Sequence, residues 1–332
     1  MKDKKKLLFT IILVILILAI GSVAVALTIS GQKNKPARGN AGTETSKQND
    51  DIIEYNGVKY APKKNIETYL FMGIDNDGKA RKATEYGTQG RCDVVMVLVR
   101  DISSGTFCSL TIDRNTVVEQ DSLALDNTVL STSPCVLALA HENGDGMEGS
   151  AENVVRAVSN FLGGVEIDGY AALNMGAVSI LNHAVDGVTI TLEEDLTMVD
   201  EAFEKGARVH LSDEQAFRYV RARMGVTGSD TNQDRMRRQS VYMKAFKEKI
   251  KAVCASDEKK ALEIYESLEE YMVTNVSKSK FTKLAYIMSQ DKEAKSVTIQ
   301  GTFQESDLGY TEMIPDEDSL QQAILELFYE EI

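Results

Sequence analysis

The arginines of this 332-residue chain are unevenly placed. Seven of its 13 Arg fall between Gly206 and Ser240, a window without a single Lys: Arg208, Arg218, Arg221, Arg223, Arg235, Arg237 and Arg238. A window chosen for solubility would mix Lys with Arg. Arg alone points to planar, bidentate donors of the kind that match phosphate oxygens. On a helix, Arg235, Arg238 and Gln239 share one face by their i, i+3, i+4 spacing. The competing reading is a solvated basic face paired with the acids of the same domain. Asp75 and Asp93 each stand at the edge of an apolar run. Carboxylates so placed can hold a hard cation such as Mg²⁺ against phosphate oxygens, although strand-end Asp residues are more often turn or cap groups.

The elements that must position these residues can be read from the apolar pattern. Thr68–Ile74, Asp93–Arg100 and Phe107–Ile112 are short apolar runs of strand type, the last two joined by a hairpin-type loop. In a regular hairpin their partners sum to about 207. Asp93 would then lie across from Arg114, and Arg91 from Thr116. Helical spacing marks one helix from Ser150 to Leu162, closed by Gly163-Gly164, and another near Asn174–Ala184, followed by a strand at Gly187–Leu192. Ser212-Asp213-Glu214-Gln215 is a capping box, opening a helix expected to end near Gly225. A long helix should follow from Gln233 to Ala252, then a strand near Ser296–Gln300 and a terminal helix from Ser319. Strands alternating with helices predict an α/β fold with a mixed sheet.

Gly144-Asp145-Gly146-Met147-Glu148-Gly149 is a literal G-x-G-x-x-G ahead of a helix, with Asp168 about twenty residues on. As a dinucleotide loop it would set Asp145 and Glu148 against a pyrophosphate, so a Gly-rich helix start is the better reading. The four Cys are scattered and read as buried thiols, and with the three His they form no zinc-type cluster.

Leu7–Ile29 is an uncharged apolar run of 23 residues, enough at ~1.5 Å per residue to span a ~30 Å hydrocarbon core. Lys2, Lys4, Lys5 and Lys6 precede it, which favours a cytoplasmic N-terminus. The alternative is a cleaved signal peptide with Ala24-Val25-Ala26 at the cleavage site. Either way the rest of the chain is expected outside the cytoplasm. The organisation expected is a cytoplasmic tail at 1–6, a transmembrane anchor at 7–29, a flexible linker at 30–51 and an extracellular domain at 52–332. The formal charge is −13, but residues 1–50 carry eight basic and three acidic residues, leaving −18 on the remainder. A domain this acidic is not expected to bind nucleic acid.

Five short motifs in order resemble one family. Leu70-Phe71-Met72-Gly73-Ile74-Asp75, Gly90-Arg91-Cys92-Asp93, Ile112-Asp113-Arg114-Asn115-Thr116, Tyr219-Val220-Arg221-Ala222-Arg223 and Arg235-Met236-Arg237-Arg238-Gln239 are similar to motifs of the LytR-CpsA-Psr proteins, which attach anionic glycopolymers to bacterial peptidoglycan. The resemblance implies an α/β/α sandwich with a central mixed sheet, preceded by one N-terminal transmembrane helix. It implies a core pocket for a polyprenyl chain, lined by helices 150–162 and 174–184. By the same resemblance Arg91, Arg114, Arg221, Arg223, Arg235 and Gln239 would bind pyrophosphate. Asp75 and Asp93 would hold Mg²⁺ or Mn²⁺. Arg91, Asp93, Arg114, Arg221 and Arg223 would carry catalysis.

The expected reaction moves a glycopolymer from a polyprenyl-pyrophosphate carrier to a peptidoglycan sugar hydroxyl. The alternative is a non-enzymatic binder or sensor of lipid-pyrophosphate or wall polymer. The chain departs from the family pattern at Asp113, Asn115, Asn232 and Asp186, where the family often has Pro, Asp, Asp and Gly.

Overall fold

The computed structural model describes residues 52–222, 237–239, 241–246, 248–249, 263, 265–280, 284, 295–307, 309 and 311–332. The apolar run at 7–29 lies outside them. Among the described residues no helix is long and apolar enough to cross a membrane.

A small sheet gathers β1 (Ile53–Tyr55), β2 (Val58–Pro62) and the terminal β15 (Tyr329–Glu331). The main sheet is built from β3 (Ile66–Ile74), β4 (Cys92–Asp101), β5 (Phe107–Ile112), β8 (Gly169–Asn174), β11 (Met272–Thr274) and β12 (Lys295–Val297). Its order is β11-β8-β3-β4-β5-β12. β3 with β8 and β5 with β12 run parallel and the other neighbours antiparallel, so the sheet is mixed as expected. The central strands read as unbroken apolar runs because both faces are covered.

On one face lie α1 (Glu148–Phe161) and α4 (Glu317–Phe328). They pack through Val154, Val158 and Leu327 on Leu70, Val95 and Leu110. On the other face lie α2 (Ala177–Ala184), α3 (Asp213–Arg221) and the helical residues 241–246, packed through Leu181, Tyr219 and Phe246 on Phe71, Met96 and Leu98. Three layers with a core on each side of the sheet make the α/β/α sandwich.

Several elements differ from expectation. Asn174 ends β8, and α2 begins only at Ala177. α3 stops at Arg221, with Ala222 already extended, rather than near Gly225. Its start is as read: Ser212 Oγ accepts the Gln215 N–H at 3.2 Å, and Gln215 Oε1 accepts the Ser212 N–H at 3.1 Å. Among the described residues three two-stranded pieces complete the fold. They pair β6 (Val117–Leu123) with β7 (Val129–Val136), β9 (Val188–Thr191) with β10 (Arg208–Leu211), and β13 (Gly301–Glu305) with β14 (Thr311–Pro315).

Candidate active site

The site forms at the end of the sheet where β3 stops and β4 begins. The β4–β5 register is the one expected: Val95 faces Ile112 and Arg100 faces Phe107, each pair summing to 207. Beyond Ile112 the chain turns. Asp113 accepts the Asn115 N–H at 2.8 Å, and its carbonyl accepts the Thr116 N–H at 2.9 Å. Two of the departures from the family pattern therefore build this turn together, and burial pushes the Asp113 carboxyl up. The Arg114 carbonyl accepts the Ala138 N–H at 2.9 Å. The turn delivers the Arg114 guanidinium onto Asp93, whose side chain is 7% exposed.

Asp93 itself sits on an irregularity. Along β3–β4 the partners run from Ile66 with Asp101 to Gly73 with Val94, then shift so that Ile74 faces Cys92. Asp93 is the extra residue of a β-bulge, a device that re-aims a side chain. Cys92 joins the core beneath α1, and Asp93 faces the opposite side, where it lines a cavity. The ladder continues past the bulge, the Asp75 N–H donating to the Arg91 carbonyl at 2.8 Å. Arg91 is therefore placed against Asp75, and Thr116, its expected partner across the hairpin, instead donates its N–H to the Asp113 carbonyl and accepts the Leu137 N–H at 2.9 Å. The Arg91 Nε donates to Glu142 at 3.0 Å. Gly90 before it has φ +82°, and a Cβ there would meet Ile74, Asn76 and the Asp75 carbonyl at 2.9–3.0 Å, so only Gly fits.

The α3 side supplies Arg221, in the last helical position, paired with Asp77 and 5.7 Å from the centre of the Phe217 ring. Gln239 lines the same cavity as Asp93. Arg223, Arg235 and Asn232 lie outside the described residues. The structure thus brings Asp75, Arg91, Asp93 and Arg114 to one strand end and Gln239 to the adjoining cavity.

That cavity measures about 820 Å³ including its open mouth, between the sheet and the α2–α3 layer. Its wall is apolar: Met72, Val94, Val178, Leu181, Met243 and Phe246. α2 lines it as expected. α1 does not, because it packs on the opposite face of the sheet.

Three contributors, Glu142, Asp77 and His141, escaped the sequence reading, and Arg238 was read there without its partners. Glu142 and Asp77 hold Arg91 and Arg221, and Asp77 reads in sequence as a plain turn residue. Arg238 is only 1% exposed. Its guanidinium donates to Glu194 at 2.9 Å and to the Ala222 carbonyl, so it pins the chain between Arg221 and Arg223. His141 is fully enclosed, and its Nδ1 meets the Gly90 carbonyl at 3.0 Å.

Burial lowers the His141 imidazole to about 4. The unfolded chain holds the extra proton between about pH 4 and 6.5, so this group's contribution is complete above pH 6.5 and is lost as pH falls toward 4. Over that span it amounts to about 3 kcal/mol. Urea unfolding at pH 7 and pH 4.5 should show a steeper loss for the native protein than for His141→Asn.

The Gly-rich loop is a helix start. Asp145 Oδ1 accepts the N–H groups of Met147, Gly149 and Ser150 at 2.9–3.4 Å. Asp168 accepts the Thr68 N–H at 2.7 Å, a structural bond. At the family's Gly position, Asp186 has φ +55° ahead of Gly187. Cys92 is buried, and Cys108 and Cys135 are half-buried free thiols.

Asp75 and Asp93 offer carboxylate oxygens alone, hard donors that suit Mg²⁺ or Mn²⁺. A cation held by two carboxylates completes its shell from water and phosphate oxygens. By donor chemistry alone the two residues suit a metal that arrives with a phosphorylated ligand. Among the described residues no group of three or more His, Cys, Asp or Glu is placed to hold one.

Arginine forks and carboxylates thus stand at a strand end beside an apolar cavity with an open mouth. The sequence model of the LytR_cpsA_psr family matches residues 27–328. The chain belongs to that family of proteins that attach glycopolymers to the cell wall. Solved structures that share the fold include the following three. TagV of B. subtilis is 24% identical, with 80% of this chain and 96% of that one covered and a TM-score of 0.54. Protein gbs0355 of Streptococcus agalactiae is 21% identical, with 79% and 87% covered and a TM-score of 0.59. TagT bound to LI-WTA is 19% identical, with 80% and 90% covered and a TM-score of 0.53. At these identities the likeness is one of fold. No curated protein matches the chain.

Proposed function

We propose that this chain is a membrane-anchored phosphotransferase, single-pass with its N-terminus in the cytoplasm, acting outside the cell. It moves an anionic glycopolymer from a polyprenyl-pyrophosphate carrier to a peptidoglycan sugar hydroxyl. The observation that carries this reading is the junction of two chemistries. The apolar cavity has Asp93 and Gln239 in its wall, and Asp93 is bonded to Arg114. A polyprenyl tail would lie in the cavity while its pyrophosphate meets the arginines.

In the reaction the acceptor hydroxyl oxygen forms a bond to the glycan-side phosphorus while its proton passes, directly or through water, to the departing phosphate. The bond from that phosphorus to the bridging oxygen breaks, and polyprenyl phosphate leaves with the electron pair. Phosphoryl transfer depends on positioning and charge stabilisation. Arg91, Arg114 and Arg221 supply it as forks that bind non-bridging and leaving oxygens, joined in this reading by Arg223, Arg235 and Gln239. Mg²⁺ or Mn²⁺, held by Asp75 and Asp93, would add charge neutralisation at the phosphates. The anchor at 7–29 would keep the site beside its lipid substrate.

The test uses the full chain in detergent with a polyprenyl-pyrophosphate-linked sugar and peptidoglycan acceptor, following released polyprenyl phosphate by mass spectrometry. Release should require Mg²⁺ and fall at least ~10²-fold in Arg221→Ala. Val178→Trp, which fills the cavity, should raise KM for long-chain donors more than for short ones. Donor binding without release would establish the binder in place of the enzyme.

A further inference from the structure

We propose that His141 and Glu142 are positioning residues that aim Arg91 at a phosphate. The proposal rests on the reading of Arg91 as a phosphate ligand and adds how that side chain is held.

The two consecutive residues grip consecutive parts of the Gly90-Arg91 segment. His141 Nδ1 donates to the Gly90 carbonyl at 3.0 Å from a site 2% exposed, which fixes the backbone. Its partner is a carbonyl, so Nδ1 carries the proton. Nε2 is enclosed, with no hydrogen-bond partner among the described residues. A neutral ring in this one tautomer suits a permanent backbone clamp, in keeping with its lowered affinity for a second proton.

Glu142 then takes the Arg91 Nε–H at 3.0 Å. The two terminal amino groups of Arg91, whose side chain is 42% exposed, bond nothing among the described residues. Bound at Nε, the fork is held from one side and presents its Nη edge, the edge that pairs bidentately with phosphate. The neighbouring residue is clamped as well: Gln89, 3% exposed, donates Nε2 to the Gly144 carbonyl at 2.9 Å. Gly90 has no room for a side chain. A segment this constrained leaves Arg91 little freedom except about its own rotamers, and those are what Glu142 selects.

The experiment is a double-mutant cycle on the full chain in detergent, with a C20 polyprenyl pyrophosphate as probe and calorimetry as readout. His141→Leu should weaken binding ~10-fold and Arg91→Ala ~10- to 100-fold, the range of one charge-assisted hydrogen bond or two. Coupling is the discriminating result: the double variant should bind no more weakly than Arg91→Ala. His141→Asn, whose amide can donate from the Nδ1 position, should restore affinity. Glu142→Gln should also raise Kd, with its loss likewise absent in the Arg91→Ala background. Losses that add in full, or native affinity in His141→Leu while Arg91→Ala is impaired, overturn the positioning role alone. Native affinity in Arg91→Ala overturns Arg91 as a phosphate ligand, and the positioning role with it.

Discussion

Arg114→Ala should lower kcat at least ~10²- to 10³-fold, the cost of removing one preorganised donor from a developing charge. The variant does two things at once. It removes a proposed phosphate fork, and it takes one counter-charge from Asp93, whose side chain is 7% exposed. Losing one partner of a buried pair costs about 3–5 kcal/mol. The lower end is expected, since Asp93 lines a cavity and keeps a further interaction of its own. The two effects separate in a second variant. Arg114→Ala with Asp93→Asn should recover most of the stability in urea unfolding and none of the turnover. Arg114→Lys keeps the charge without the fork and should fall between native and Ala in both. Full turnover by Arg114→Ala would remove this residue from the site.

Arg238→Leu is the other large effect. The side chain is 1% exposed and holds Glu194 and the Ala222 carbonyl at once. Its loss should cost about 3–5 kcal/mol, a fall of roughly 10 °C in Tm for a domain of this size. Arg237 also reaches Glu194, at 3.3 Å, which keeps that carboxylate partly compensated. The activity loss should exceed what the stability loss explains, because Ala222 stands between Arg221 and Arg223 in the chain. Turnover measured 20 °C below the new Tm separates the two. Native activity per folded molecule would reduce Arg238 to a structural role.

Much of the site was legible before any coordinates. The β4–β5 hairpin announced itself by two apolar runs and a short polar loop, which fixed its register and so brought Asp93 and Arg114 together. The capping box at Ser212 set the start of α3 because its chemistry is local. What escaped depended on the third dimension. Nothing in Cys92-Asp93 marks a bulge, yet the bulge decides which face each side chain takes. α1 and α2 have similar apolar stripes, and only the sheet crossing sends one to the closed core and the other to the cavity. β7 was missed because its Ser, Thr and Pro residues are mostly exposed and show no apolar alternation. The partners of the arginines, Glu142 and Asp77, lie 51 and 144 residues from them. No local pattern can encode such pairings.

The three described arginines of the site each already hold a carboxylate: Arg91 with Glu142, Arg114 with Asp93 and Arg221 with Asp77. Among the described residues these six charges cancel, so this part of the resting site is not a bare cationic trap. An arriving anion has to win Arg114 and Arg221 by exchange, while Arg91 keeps Glu142 on Nε and offers its Nη edge. Free phosphate or sulfate supplies too few oxygens to displace two internal partners, whereas a pyrophosphate drawn in by a hydrocarbon tail, as proposed, would bring enough. Such a site resists clutter from the small anions of the surrounding medium, and its affinity should respond only weakly to added salt.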